Sequence, residues 1–304
     1  MHLVDRARAG DPRATARLLS LVESASPRLR EASAALMAHQ GHAHVIGITG
    51  APGVGKSTIT SALISAYRGQ GLRVAVLAVD PSSPFSGGAV LGDRVRMQAH
   101  ATDEGVFIRS MASRGHLGGL AAAAPQALRV LDACGFDVVL LETVGVGQSE
   151  VEVVGQADTV LVLLAPGMGD GVQVAKAGIL EIADVFVINK ADRDGVPATV
   201  RDLRGMLALN PGGEDVWIPP IVKTVATTGA GIDDLLSAVD RHREWSHHSG
   251  DLFQRRVQRV QRELEGMALD LVRDRLGDAG DLARRVLAGE IDPYRAAVVL
   301  TDDL

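Results

Sequence analysis

The run Gly50-Ala51-Pro52-Gly53-Val54-Gly55-Lys56-Ser57-Thr58 sets glycines, one lysine and a hydroxyl pair at the spacing GxxxxGK[ST]. Each residue type has a chemical task in that pattern. The glycines let the backbone curl so that its N–H groups point inward at a β-phosphate; Lys56 reaches the β- and γ-phosphates, and Ser57 offers its hydroxyl to Mg²⁺. Such a loop needs a strand before it and a helix after it. Val45-Ile46-Gly47-Ile48-Thr49 reads as a buried strand and Thr58 to Tyr67 as a helix, whose positive N-terminal end adds to the cradle.

Val185-Phe186-Val187-Ile188 is a second apolar strand, and it ends in Asn189-Lys190-Ala191-Asp192, the NKxD spacing. The Asp192 carboxylate can accept two hydrogen bonds from N1–H and the exocyclic amine of guanine, a donor pair that adenine lacks. The expected nucleotide is therefore GTP, with GDP as its product, rather than ATP. Lys190 is expected over the base plane, and Asn189 between this loop and the phosphate loop. Val225-Ala226-Thr227-Thr228-Gly229-Ala230-Gly231 follows the apolar run from Ile221. It occupies the place where a backbone N–H meets guanine O6, so Val225, Ala226 and Thr227 are expected at the base, although the usual Ser-Ala-Lys wording is absent.

Hydrolysis needs a metal clamp and a positioned water. Asp137-Val138-Val139-Leu140-Leu141-Glu142 is an apolar strand ending in a carboxylate, followed by Thr143-Val144-Gly145. Most GTPases have Asp at the start of this DxxG element. Glu142 is one methylene longer, so it is expected to reach Mg²⁺ through water or to touch the attacking water, while Gly145 senses the γ-phosphate through its N–H. Val146 follows where a water-orienting glutamine often stands, and Gln148 comes later, so unaided hydrolysis is expected to be slow. Asp80 closes another apolar strand ahead of the turn-rich run Pro81-Ser82-Ser83-Pro84-Phe85-Ser86-Gly87-Gly88. It joins Ser57 and Glu142 as a metal ligand, with an ordinary helix or loop cap as its alternative, and Asp93 joins Lys56, Asp80 and Glu142 as a catalytic candidate, with a solvated salt bridge as its alternative. Arg94, Arg96, Arg109 and Arg114 are the arginines available to stabilise charge, and spacing does not choose among them.

The elements that hold these residues alternate. Strands are expected at Val45 to Thr49, Arg73 to Asp80, Val106 to Ser110, Asp137 to Glu142, Thr159 to Leu164, Asp184 to Asn189 and Ile221 to Ala226, with helices between them. That is an α/β fold: a mostly parallel sheet, P-loop NTPase domain covered by helices on both faces, with ligand chemistry at the carboxyl ends of its strands. The 304 residues divide into an N-terminal helical extension over 1–42, the nucleotide domain over 43–246 and a C-terminal helical region over 247–304. With 46% apolar but only 3% aromatic residues, the core must be built from Val, Leu, Ala and Ile.

In the extension, Asp11-Pro12 and Ser26-Pro27 each supply a cap and a first-turn proline for a short helix. The segment His39-Gln40-Gly41-His42-Ala43-His44 lacks the carboxylate or cysteine of a metal site and reads as a solvated linker. Residues 250–277 form the last long helix. Phe253, Val257, Val260, Leu264, Met267 and Leu271 recur on it at steps of four and three, a seam that either packs on its own domain or pairs with a second chain.

A formal net charge of −6 without a basic block removes the footprint of a nucleic-acid or membrane binder. Cys134 is the one cysteine, expected in a helix as a packed thiol, so no internal disulfide can form and a reducing cytoplasm is the expected compartment. No apolar run approaches the ~18 residues of a membrane span, and the N-terminus has no apolar leader core.

Taken together, Gly50 to Thr58, Asp80 to Met97, Phe107 to Gly119 and Glu142-Thr143-Val144-Gly145-Val146-Gly147-Gln148-Ser149-Glu150 resemble the MeaB/ArgK-type GTPases. The likeness continues through Lys176 to Asp184, and its glutamate at 142 and long run after Asp80 are uncommon among GTPases at large. The resemblance implies a G-protein chaperone of an adenosylcobalamin-dependent acyl-CoA mutase, chiefly methylmalonyl-CoA mutase. It also implies a fold akin to signal-recognition and metallochaperone GTPases, and a homodimer through C-terminal helices, which favours pairing for the Phe253 to Leu271 seam. Met168-Gly169-Asp170-Gly171-Val172-Gln173-Val174 departs from the more acidic, polar family pattern in a loop thought to relay nucleotide state. The competing readings are a nickel-insertion GTPase, which lacks its Cys-x-Cys pair or dense His tract here, and an ATPase or kinase serving amino-acid transport, in which Asp192 would be idle.

Overall fold

Runs of Val, Leu and Ile without polar alternation become the strands, as they must where helices cover both faces of a sheet. The computed structural model describes residues 2–24, 26–39, 41–81, 98–113, 119–143, 155–167, 182–208, 215–276 and 279–301. β1 (His44–Gly50), β2 (Val74–Pro81), β3 (Val106–Ser113), β4 (Val138–Thr143), β5 (Thr159–Leu164), β6 (Val185–Ile188) and β7 (Ile221–Lys223) form one sheet. Their order is β3-β2-β4-β1-β5-β6-β7, and every pairing is parallel. β1, β4, β5 and β6 are buried along their whole lengths. The helix Lys56–Gly69 packs on β1, β2 and β4 and on the helix Ile232–Ser249, while Gly119–Ala133 packs on β3 and β4 and on the N-terminal helices. The chain leaves β1 toward β2 but leaves β5 toward β6, so a crevice opens at the carboxyl ends beside β1, where open α/β sheets bind ligands.

Three helices precede the sheet instead of the two expected: His2–Arg8, Pro12–Glu23 and Pro27–Met37. The first follows no Ser, Thr, Asp or Asn that could announce it. Asp11 caps the second by accepting from the N–H groups of Arg13 at 2.9 Å and Ala14 at 3.2 Å, and Leu18, Leu19 and Val22 turn into the core.

Two sequence expectations are corrected here. The histidine segment is not a linker at its end: His44 opens β1, is buried, and sets its Nε2 2.9 Å from Thr159 Oγ1. The Asp132 carboxylate accepts from the N–H groups of Gly41, His42 and Ala43 at 2.5, 3.1 and 2.9 Å, tying the segment down from a distant helix. Arg109 is likewise not free for catalysis. From the edge strand β3 it pairs with Glu23 at 2.5 Å and donates to Ser20 Oγ at 3.2 Å, so its charge holds Pro12–Glu23 to the sheet. Cys134 lies in the turn just after Gly119–Ala133, fully buried, where burial pushes its thiol up to about 11. β7 ends at Lys223, three residues short of the expected Ala226.

The amino ends of the strands carry a buried ionic cluster. Asp184, just before β6, receives both guanidinium arms of Arg255 at 2.9 Å and the Val160 N–H at 2.8 Å, and lies 3.2 Å from His242 Nε2. Burial alone would raise its carboxyl, but His242 and Arg255 outweigh that and hold it below the ordinary carboxylate value. Arg256 pairs with the buried Asp158 at 2.8 Å, which in turn accepts from Val45 N–H at 3.1 Å.

The chain resolves into two compact units, Met1–Arg256 and Val257–Leu304. The first contains the sheet and all the nucleotide candidates. In the second, the long helix Asp251–Arg275 continues from Val257, and the helices Gly280–Leu287 and Pro293–Thr301 pack on each other. Every seam residue from Phe253 to Leu271 is exposed, from 43% at Val257 to 67% at Phe253.

Candidate functional site

β1 ends at Gly50, and the loop Ala51–Gly55 turns the chain into Lys56–Gly69. Gly50 and Gly55 are required by close approach as well as by conformation. A Cβ on Gly50 would stand 2.3 Å from Leu163 O, and one on Gly55 would stand 2.4 Å from Asn189 Nδ2, at φ values of +144° and +99°. Among the described residues no side chain caps Lys56–Gly69 at Gly55, and a helix N-terminus of this kind favours an anion. Lys56 Nζ donates to the carbonyls of Gly50 at 2.5 Å and Ala51 at 3.3 Å, which stations a buried ammonium inside the loop. Pro52 and Gly53 are exposed, Val54 is buried, and Thr58 faces outward one residue beyond Ser57.

Glu142 lies on β4 beside Ile48 of β1 and Ala78 of β2, and is 1% exposed. Its Oε1 accepts from Ser57 Oγ at 2.7 Å and its Oε2 from Thr60 Oγ1 at 2.7 Å. The structure thus brings the expected metal hydroxyl and the expected carboxylate into direct contact. Asp80 sits on β2 two residues past Ala78, at the same carboxyl edge. Its carboxylate lies outside the described side chains, and Asp93, Gly145, Arg94, Arg96, Arg114, Gln148 and the stretch Met168 to Val174 lie outside the described residues.

The base-side loops meet the phosphate loop through two residues. Asn189 follows β6, is buried, and donates from Nδ2 to Val54 O at 2.9 Å. Its Oδ1 accepts from Thr224 Oγ1 and from Ala226 N–H, each at 3.2 Å. Lys190 adopts a left-handed φ of +56°, a strained state for a side-chain-bearing residue, and its Nζ donates to Gly53 O at 2.6 Å. Asp192 is exposed, Val225 and Ala226 are half-buried and Thr227 is exposed. A glycine-rich loop tied through Asn189 and Lys190 to an exposed carboxylate two residues past Lys190 suits a purine nucleotide held at both ends.

Comparison with known proteins assigns the family. The family described as Methylmalonyl Co-A mutase-associated GTPase MeaB matches residues 15–281. The chain belongs to the MeaB family. As a MeaB-family member it is a P-loop GTPase that binds guanine nucleotides. A putative GTPase of Pyrococcus abyssi is 48% identical over all of this chain and 96% of its own length. The GTPase ArgK of Escherichia coli is 40% identical over 84% of this chain and 79% of its own length. A crystal structure described as LAO/AO transport system kinase superposes with a TM-score of 0.68 at 30% identity, covering 99% of this chain and 96% of that one.

Two residues of the site have no place in the motif reading. The only sequence signal for Thr60 is a second hydroxyl one helical turn past Ser57, on the same helix face. Thr224 touches Asn189 from the first residue after β7, and no local spacing links residues 35 positions apart.

Proposed function

We propose that this GTPase gates or protects adenosylcobalamin loading of an acyl-CoA mutase, with methylmalonyl-CoA mutase the foremost partner, and that it works in the cytoplasm as a homodimer. The observation that carries the reading is the family match over residues 15–281, which spans both the phosphate loop and the exposed seam. Exposure of that seam from Phe253 to Leu271 supports pairing with a second copy, since a long apolar stripe needs a cover.

In the proposed chemistry, Lys56 exchanges the carbonyls of Gly50 and Ala51 for phosphate oxygens, and the amides of Gly50 to Thr58 enclose the β-phosphate. Ser57, Glu142 and Asp80 would hold Mg²⁺; the Ser57 and Glu142 oxygens, already converged at 2.7 Å, are the hard donors this ion requires. When bound, Mg²⁺ neutralises charge developing on the β- and γ-phosphate oxygens. Asp93 and Glu142 are assigned to the attacking water and Gly145 to the γ-phosphate on sequence grounds. Asp192 accepts from guanine N1–H and its amine, Lys190 covers the ring, and Asn189 holds this loop and Val225 to Thr227 around the base. An ATPase or kinase reading gains nothing from this arrangement, because Asp192 has no donor pair to meet on adenine.

Mixing the protein with purified methylmalonyl-CoA mutase and a non-hydrolysable GTP analogue tests the proposal. A complex that forms with the analogue and weakens with GDP, together with an altered rate of adenosylcobalamin uptake, is the expected result. Absence of both effects would remove the chaperone assignment while leaving the GTPase.

A further inference from the structure

Thr60 is fully buried on Lys56–Gly69, one turn beyond Ser57. Its Oγ1 lies 2.7 Å from Glu142 Oε2 and 3.1 Å from the Lys56 carbonyl. One hydroxyl proton cannot serve both acceptors at full strength. The Lys56 carbonyl already receives the helical N–H of residue 60, and the contact with the carboxylate is shorter and charge-assisted, so the proton goes to Glu142. Two hydroxyls of one helix therefore grip the two oxygens of one carboxylate, Ser57 on Oε1 and Thr60 on Oε2.

This grip answers a need created by the glutamate. Where most GTPases carry aspartate, Glu142 has one more methylene and one more rotatable bond, which must be frozen before an oxygen is presented in a fixed direction. We infer that Thr60 is a positioning residue that locks the Glu142 carboxylate with Oε1 on Ser57 and so presets the Mg²⁺ pocket. The inference rests on the reading of Ser57 and Glu142 as the Mg²⁺ pair. Thr60 does not touch the ion; it acts through Glu142, as groups behind a metal's direct ligands orient those ligands.

Thr60→Val removes the hydroxyl at nearly constant volume, and Thr60→Ser restores it. Calorimetry of Mg²⁺ binding to the GDP complex should show Thr60→Val weakened about 10- to 100-fold and Thr60→Ser close to the parent, the range seen when an outer partner of a metal ligand is lost. In nucleotide-free protein, urea unfolding of Thr60→Val, Glu142→Gln and the double variant should be non-additive, because both changes remove one contact. A Thr60→Val protein that loses stability but keeps its Mg²⁺ affinity, while Glu142→Gln loses affinity, overturns the positioning role and spares the Mg²⁺ assignment. Unchanged Mg²⁺ affinity in Glu142→Gln overturns that assignment and this inference with it. Should Thr60→Val fail to fold, Thr60→Ala reads the same affinity.

Discussion

The Asn189 side-chain amide donates to the Val54 carbonyl at 2.9 Å, across 135 residues of sequence. Because its other end accepts from Ala226 and Thr224, one side chain joins the phosphate loop, the base loop and the loop after β7.

Gly55 makes that junction possible. Gly55→Ala would drive a Cβ to 2.4 Å from Asn189 Nδ2 at a φ of +99°, whereas Gly53→Ala meets nothing within 4 Å at +79°. Both variants carry left-handed strain of about 1–2 kcal/mol. Only Gly55→Ala should also lose most affinity for GTP and GDP in calorimetry. Equal affinity losses in the two variants would mean that the Asn189 contact does not organise the site.

Guanine selection should rest on the exposed Asp192 carboxylate. Asp192→Asn replaces an acceptor pair with one acceptor and one donor, so GTP binding should weaken by roughly 2–4 kcal/mol, as for loss of a charge-assisted bidentate pair. Xanthosine triphosphate, which presents an oxygen in place of the amine, should gain relative to GTP. Competition binding with both nucleotides checks this, and an unchanged preference would remove Asp192 from the base site.

Strands and motif loops were legible because their signals are local: unbroken apolar runs for β1, β4 and β5, and fixed spacing for Gly50 to Thr58 and Asn189 to Asp192. What stayed hidden depends on partners far along the chain. His44 looks like the end of a polar histidine run until Thr159 and Asp158 receive it and its neighbour. Arg109 looks like any arginine near a phosphate site until Glu23, 86 residues earlier, claims its charge. Thr60 has a visible helical phase, but its acceptor comes from another strand.

Stability should fall on acidification. Burial, opposed by Asp158 and aided by Arg243, His242 and Arg256, pushes the His44 imidazole from 6.5 down to about 4. The folded state therefore resists a proton that the unfolded chain accepts. His44 should contribute its full stability above pH 6.5 and lose it progressively toward pH 4, a change on the order of 3 kcal/mol. Asp184, whose carboxyl is held low, loses its contribution only at still lower pH, below the ordinary carboxylate range. Urea unfolding across this range should be steeper in pH for the parent than for His44→Gln. Parallel curves would show that His44 is not the titrating group.

The exposed seam should build the homodimer. Val260→Asp with Leu264→Asp would bury unpaired charges in a paired seam, so the variant should be a monomer that still binds GTP. Light scattering reporting a monomer for the unmutated protein would sink the dimer assignment.

A slow GTPase accelerated by a mutase is what the proposed function requires. The most direct measurement is GTP turnover at saturating Mg²⁺, with and without purified methylmalonyl-CoA mutase. The expected result is intrinsic turnover well under about 1 s⁻¹, as for unassisted GTPases, and a clear rise in kcat once the mutase is added. A fast intrinsic rate, or a rate indifferent to the mutase at every concentration tested, would contradict it.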